Sequence, residues 1–268
     1  MKATHPLLAV PITIAAMFAQ VIIGTLPVTL LPDPGHPLSR LAGAIGITLA
    51  SLGLIYLIRR YLGRQPWRGV GLDRSRRALP HVLLGLLAGA VPVLAASALS
   101  VALGAATTVP WAVLAPQVPY LLLAVVFTLL SQAFPEELLW RGHLFDTLSS
   151  RLSPRAVIIV VSVGFGAMHI VSQSPATTPL ERLLYVLHAT ALGFACAAAR
   201  ARTGTVWMAV GVHLGLHTGN YLFPTQPVAY GVQLIILTCT FTLSTLLLMH
   251  RPKPDHNTTP EQPPATVA

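Results

Sequence analysis

Charged residues are scarce in this chain. They make up only 9% of its 268 residues, whereas hydrophobic residues make up 54%. A typical soluble domain carries about 25% charged residues, so this composition excludes an ordinary soluble protein and favours a polytopic membrane protein. The chain also has only two cysteines, which excludes a disulfide scaffold and a cysteine-ligated metal site. Cys196 and Cys239 both lie in apolar segments, and we expect both to be buried.

Long apolar runs fill most of the chain. A membrane-spanning helix needs about 20 mostly apolar residues, and the sequence contains about eight such segments. We expect them at residues 6–31, 38–58, 80–104, 117–149, 155–172, 180–200, 204–223 and 228–249. The sequence therefore predicts an all-α fold, with about eight transmembrane helices in one bundle and a single integral membrane domain at 1–250. Residues 251–268 are rich in Pro and Thr and are predicted to form a disordered cytoplasmic tail.

Positive charges outnumber negative ones, and the formal net charge is +9. In a soluble protein this excess would suggest a nucleic-acid partner. Here the Lys and Arg residues cluster between apolar segments, which is the topology signal of a membrane protein, so we expect the lipid bilayer and no nucleic acid. If there are eight spans, all but three of the seventeen Lys and Arg residues lie on the side that holds both termini. The positive-inside rule then predicts a multi-pass protein with cytoplasmic N- and C-termini. The bias toward Ala, Leu and Arg looks bacterial, so the expected location is the bacterial cell (inner) membrane.

Acidic residues are rarer still. Of the eight in the chain, only Glu136 and Glu137 lie deep inside an apolar segment. An ionisable residue within a membrane is costly and marks a functional site by default. Glu137 and Arg141 are four residues apart on one helix face, so we expect them to form an ion pair that serves either packing or function. Glu136 is rotated by about 100° from Glu137 and can remain free for chemistry. Pro135 is expected to bend this long segment.

Histidines supply the polar groups of the later segments. His169 lies near the end of the fifth segment, whereas His213 and His217 share one face of the seventh, with Asn220 further along it. A carboxylate beside a histidine can hold and deprotonate a water, and other histidines can stabilise the resulting negative charge. These groups favour hydrolysis only slightly over proton-coupled transport. His188 is alone in its segment and is interpreted as a hydrogen-bond donor between helices.

A metal site is an alternative use of the same side chains. Judged by ligand type, a zinc site would consist of Glu137, His169, His213 and His217. The chain lacks the His-Glu-x-x-His pattern that would strongly predict zinc. The expected cofactor is therefore none or Zn, and metal-free chemistry is slightly favoured.

Three motifs occur in order on three successive hydrophobic regions. Glu-Glu-x-x-x-Arg at 136–141 is followed by Phe-x-x-x-His at 165–169, and Trp207 precedes His213 by six residues. This combination resembles the CPBP family of intramembrane proteases, also called the Abi family. The family includes CAAX prenyl endopeptidases and proteins linked to bacteriocin processing or self-immunity. The motifs cover roughly residues 130–222.

The resemblance implies roles for these residues. Glu136 would be the general base that activates water, and His169 would be its partner. Glu137 and Arg141 would brace the site.

The resemblance also assigns the oxyanion site. His213 and the residue four positions later would stabilise the oxyanion. That second position is usually Asn or Asp in the family, and here it is His217. Either His217 or Asn220 takes this role, or the site has lost its activity.

The expected function is that of an intramembrane endopeptidase. It would hydrolyse a peptide bond of a membrane-associated peptide or protein, in a cavity that opens toward the cytoplasm. An unprenylated local peptide is favoured as the substrate over a prenylated CAAX protein. A second hypothesis, favoured by His217, is a catalytically impaired family member that acts as an immunity or partner-binding protein. The third is a small transporter that uses the carboxylates as a proton relay.

Overall fold

The computed structural model describes residues 4–250 as a bundle of helices. The predicted tail at 251–268 lies outside the described residues. The eight principal helices are α1 Pro6–Thr25, α2 Pro37–Leu57, α3 Ala78–Ala102, α4 Trp111–Ser149, α5 Pro154–Met168, α6 Pro179–Thr203, α7 Trp207–Leu222 and α8 Tyr230–Met249. Two short strands, β1 Ala106–Thr108 and β2 Thr225–Pro227, pair as an antiparallel ribbon.

Seven helical segments within residues 4–250 are long and apolar enough to cross a membrane. They confirm an all-α, multi-pass membrane protein. The predicted segment at 204–223 instead forms α7, which has 16 residues and a length of about 24 Å. A bilayer has a hydrocarbon core about 30 Å thick, so α7 is shorter than a full span. The α-helical part of α5 is also short, with 15 residues, and the 3-10 turn His169–Val171 continues it.

Successive helices run in opposite directions, so the connections collect at two ends of the bundle. We call one the arginine end; it contains residues 58–77, 145–153 and 200–206. Arg202 of this end donates to the carbonyls of Leu248 and His250, and Gly63 lies beside Thr4. Both ends of the described chain are therefore here. The opposite end, which we call the ribbon end, contains the β1–β2 pair and residues 26–36, 169–178 and 223–229.

Close backbone packing joins α3 to α7. Gly85 and Gly89 of α3 face Gly211 and Gly215 of α7, so each helix presents a small-x-x-x-small face. A Cβ atom added at Gly89 would overlap the carbonyl oxygen of Val212. The two backbones are therefore in direct contact, which fixes the position of α7 and its histidines.

The helix α4 contains two π-helical stretches, Leu129–Ala133 and Leu138–Leu144. One α-helical turn, which holds both glutamates, separates them. Pro135 is the second residue of that turn, and its carbonyl accepts from Ser51 Oγ at 3.3 Å. The backbone irregularity expected at Pro135 thus takes the form of π stretches on either side of it, a feature found frequently at functional sites.

Some buried and exposed residues differ from expectation. Cys196 is buried as predicted, but Cys239 is exposed on α8, so its predicted burial was wrong. The outer face of a membrane bundle meets lipid, and an apolar residue there needs no protein around it. Arg59 and Arg200, which were interpreted only as topology signals, are buried. Arg59 pairs with Asp146 at 2.7 Å.

Candidate active site

A fully buried carboxylate connects the helices at the centre of the site. Glu137 Oε1 accepts from Arg141 Nη1 at 3.1 Å and from His213 Nδ1 at 2.9 Å. Arg141 is also fully buried, and its Nη2 donates to the carbonyl of Gly193 at 2.7 Å. The ion pair expected from the spacing of Glu137 and Arg141 is present. Through these bonds, α4 is tied to both α6 and α7.

The ring of Phe165 packs against the same groups. The Arg141 guanidinium lies 4.5 Å from its centroid, and the His169 ring centroid lies 4.8 Å away. The rings of His213 and Trp140 approach Phe165 edge-on, each with centroids 5.9 Å apart. Phe165 therefore sets the spacing between α5 and the polar groups of α4 and α7.

Glu136 differs from its neighbour in both burial and contacts. It is half-buried, and within residues 4–250 it makes no hydrogen bond or ion pair. Glu137 Oε2 is buried and has no hydrogen-bond partner, whereas neither oxygen of Glu136 is buried in this way. Of the two adjacent carboxylates, one is enclosed and bonded, and the other retains access to water.

His169 is oriented by its own helix. Its Nδ1 lies 2.9 Å from the carbonyl oxygen of Phe165. A carbonyl can only accept, so Nδ1 carries the proton, and Nε2 of the neutral ring is an acceptor. His169 is half-buried, and its free nitrogen is suited to accept a hydrogen bond from a water.

The rings of His213 and His217 stack, with centroids 5.4 Å apart and an interplanar angle of 21°. Because Nδ1 of His213 donates to the carboxylate of Glu137, its Nε2 can donate only from a doubly protonated ring. His217 makes no hydrogen bond within residues 4–250, so either of its nitrogens can donate to a substrate. Asn220 is exposed one turn further along α7.

Two cavities adjoin the histidines at the ribbon end. The first, of about 370 Å³, we call the histidine cavity; its lining includes His169, Tyr185, His188, His217, Asn220 and Tyr230. The second, of about 450 Å³, we call the aromatic cavity; its lining includes Arg40, Tyr120, Phe127, Gln132, His217 and Tyr221. His217 is the side chain that both cavities share among the described residues.

The position of these cavities corrects the expected topology. The termini and the cavity were both predicted to face the cytoplasm. The cavity walls come from the ribbon end, whereas residues Thr4 and His250 lie at the arginine end. The two features are at opposite ends of the bundle, so the prediction that they share one side was wrong.

The proposed zinc ligands do not form a metal site. No group of three or more His, Cys, Asp or Glu side chains within residues 4–250 is placed to hold one metal ion. The four residues therefore do not fit a shared zinc ion.

Several residues at the site were not predicted from the sequence. Tyr185 lies 5.8 Å from His169, measured between ring centroids. Arg200 donates to the carbonyl of Arg141 at 2.9 Å and to that of Gly69 at 3.1 Å. Neither residue has a local sequence signal, because each acts across a tertiary contact.

His188 also has an unexpected environment. It makes no hydrogen bond within residues 4–250, although a donor role between helices was expected, and its buried Nδ1 lacks a partner. Its ring lies 5.7 Å from that of Phe241 and borders the histidine cavity.

The remaining motif residue, Trp207, holds a loop of the arginine end. Its Nε1 donates to the carbonyl of Asp73 at 2.8 Å, and its ring stacks on Phe134 with centroids 6.1 Å apart. Trp207 therefore positions the start of α7 rather than lining either cavity.

Comparison with known proteins gives one family match. No curated protein sequence matches the chain. Residues 117–219 match a family model described as type II CAAX prenyl endopeptidase, Rce1-like. The matched region holds the two glutamates, Arg141 and the histidines of α5 and α7. Residues 117–219 are thus similar to the Rce1-like type II CAAX prenyl endopeptidases, in agreement with the resemblance of their motifs.

Proposed function

We propose that the chain is an intramembrane endopeptidase in which Glu136 activates a water. The observation that carries this proposal is the contrast between the two glutamates. Glu137 is enclosed and holds Arg141 and His213, whereas Glu136 is half-buried and free of hydrogen bonds within the described residues. A general base must reach a water, and the exposed part of the Glu136 side chain supports this role.

The catalytic steps follow from these positions. A water held between Glu136 and Nε2 of His169 gives a proton to Glu136, and its oxygen attacks the peptide carbonyl carbon. The carbonyl oxygen becomes an oxyanion, which His217, together with His213 or Asn220, stabilises by donating hydrogen bonds. The C–N bond then breaks, and the departing amine takes the proton from Glu136. The proposed steps need no metal ion, and within residues 4–250 no group of three or more His, Cys, Asp or Glu side chains is placed to hold one.

The substrate class follows from the family and the membrane location. A membrane-associated peptide or protein would enter the cavities beside His217. We further propose that the protein lies in the inner membrane of a bacterial cell with its arginine end in the cytoplasm, and the charge asymmetry supports this orientation.

A second function is favoured by one observation. His217 occupies the position where the family resemblance implies Asn or Asp, and its ring stacks on His213. If this ring blocks the oxyanion site, the protein is a catalytically impaired member that binds a partner or confers immunity.

The deciding experiment is peptide cleavage by the purified protein in liposomes, with a fluorescence-quenched peptide library. We would compare wild type, Glu136→Gln and His217→Asn, each with and without a zinc chelator. Asp33→Asn, which alters an exposed acid in a ribbon-end loop, is the matched control.

The expected result is cleavage by wild type and Asp33→Asn that a chelator does not affect. Glu136→Gln should lower kcat by about 10²- to 10⁴-fold, the usual contribution of a general base. Cleavage by His217→Asn alone would instead support the impaired member. Loss of activity with chelator would overturn the metal-free mechanism.

A further inference from the structure

We propose that the active site opens to the non-cytoplasmic side of the membrane, and that its substrate is a segment of an exported or membrane-inserted polypeptide. The identity of the opening as a substrate entrance rests on the proposed function. The direction in which it opens follows from charge and geometry, and it can be tested without any activity.

The charge distribution identifies the cytoplasmic end. Eleven arginines of the described residues, at 59–77, 151–155 and 200–202, belong to the arginine end, whereas Arg40 and Arg182 belong to the ribbon end. All lie in short connections or close to helix ends, where the positive-inside rule is most reliable. The arginine end is therefore the cytoplasmic one.

The surface of the arginine end suits anionic headgroups. Arg59, Arg60, Arg64 and Arg68 line a cavity of about 1110 Å³, whose lining includes Asp146 as its one carboxylate among the described residues. The nearby rings of Tyr56 and Trp67 have centroids 6.5 Å apart. Arginines attract the anionic lipids of the cytoplasmic leaflet, and Trp and Tyr settle at the membrane interface.

The catalytic groups are closed off from that end. Leu138, Trp140 and Leu144 are fully buried on α4, between the glutamates and the arginine end. Arg141 and Arg200 occupy the same layer, where Arg200 bonds to the carbonyl of Arg141. Packed side chains leave no room for a peptide here.

Two of the catalytic histidines, His169 and His217, are open toward the ribbon end. Both cavities beside the histidines are lined from this end, and the short helices α5 and α7 terminate there. Because α5 ends at Met168, His169 lies at a helix terminus that water can reach. The entrance to the site is therefore on the side opposite the arginines.

The two cavities together define a path for an extended peptide. His217 lines both of them, and Gln132 of the aromatic cavity precedes Glu136 by four residues, about one helical turn. A peptide that occupies both cavities would pass His217 and the helix turn that holds Glu136. Arg40, exposed at the aromatic cavity with its guanidinium 5.4 Å from the Phe127 ring centroid, offers a positive charge to the incoming segment.

Thiol labelling tests the direction of the opening. In a background with Cys196→Ala and Cys239→Ser, single cysteines would be placed at Gln226 of the ribbon and at Ser150 of the arginine end, both exposed. Right-side-out and inverted vesicles would be treated with a membrane-impermeant maleimide. We expect Gln226→Cys to react only in right-side-out vesicles and Ser150→Cys only in inverted ones. The reverse pattern, or labelling of both positions from one side, would overturn the inference.

Cleavage in the same vesicles tests the substrate class. A membrane-impermeant, fluorescence-quenched peptide library would be added outside each preparation, with Glu136→Gln vesicles as the blank. Cleavage confined to right-side-out vesicles is expected, and cleavage confined to inverted vesicles would overturn the assignment. If labelling shows the expected sides but detergent-solubilised protein cleaves nothing, then the proposed function fails and the direction of the opening stands.

Discussion

Two adjacent glutamates have different environments because a helix turns by about 100° per residue. Glu137 faces α6 and α7 and is held by Arg141 and His213, while Glu136 faces a less enclosed region. A buried charge is tolerated only with partners that compensate for its lost hydration. Each glutamate is therefore suited to one task, bracing in one case and proton transfer in the other.

The role of Glu137 predicts a loss of stability on mutation. Glu137→Gln removes the charge that compensates buried Arg141, and breaking a buried pair in this way costs about 3–5 kcal/mol. Glu136→Gln should change stability by less than about 0.5 kcal/mol, because it removes no described bond. Unfolding of both variants in mixed micelles measures the difference. Equal stability of the two would contradict a bracing role for Glu137.

Phe165 gives a second prediction at this scale. Phe165→Leu removes the ring beneath the Arg141 guanidinium and beside His169. The lost cation–π interaction is worth about 0.5–2 kcal/mol. We expect a small loss of stability together with a larger loss of kcat, because the ring also positions His169. Thermal unfolding and cleavage rates would be measured in parallel, and a variant with unchanged kcat would show that the ring is not needed for positioning.

Local contacts of the site were predictable from the sequence, and distant ones were not. The Glu137–Arg141 pair follows from a spacing of four on a helix. The bond from His213 to Glu137 joins residues 76 apart in the chain, and the contact of Arg200 with Arg141 spans 59. Such contacts depend on how helices pack, for which one sequence holds no direct signal.

At the scale of single helices, glycine contacts decide where the histidines stand. α7 carries His213 and His217, and it is held against α3 by backbone contact at Gly89 and Gly211. Small residues allow this approach in membranes, where association depends on close packing rather than on the hydrophobic effect. The small-x-x-x-small spacing is visible in the sequence, but the spacing alone does not identify which two helices meet.

A methyl group at this contact should be destabilising. Gly89→Ala places a Cβ against the carbonyl of Val212, and we expect overpacking to cost about 1–3 kcal/mol. Gly53→Ala is the matched control, because its Cβ meets no atom within 4 Å and lies in a helix. It should be neutral, or stabilising by up to about 1 kcal/mol. Unfolding of the two variants in the same micelles would compare them, and a neutral Gly89→Ala would contradict the close contact.

Helix bounds were predicted to within a few residues, except that α1 ends six residues before the expected 31 and α4 begins six residues before the expected 117. Apolar runs identify spans well, so the expected 80–104 corresponds to Ala78–Ala102. The π stretches of α4 leave no mark in hydrophobicity. The shortness of α7 was also hidden, because its flanking residues are apolar enough to extend the apparent segment.

At the scale of the whole molecule, the charges and the cavities lie at opposite ends of the bundle. Charge counting identified the two ends correctly as rich and poor in arginine, since this needs only the order of the segments. The side on which the cavities open depends on where α5 and α7 terminate in three dimensions. The sequence could not show where these two helices terminate in space. A cavity and termini on the same cytoplasmic side were therefore expected, although the structure places them at opposite ends of the bundle.

The shortness of α5, which exposes Ile159 and Val163 on its outer face, has a consequence for the surrounding lipid. Helices shorter than the hydrocarbon core thin the bilayer beside them, at a cost of fractions of a kcal/mol per Å of mismatch. We expect cleavage to be fastest in liposomes made from short acyl chains and to slow steadily as the chains lengthen, at constant headgroup composition. A rate that does not change with chain length would contradict this. The membrane's thickness would then act as a regulator of the enzyme, so that proteolysis would respond to the lipid composition of the cell.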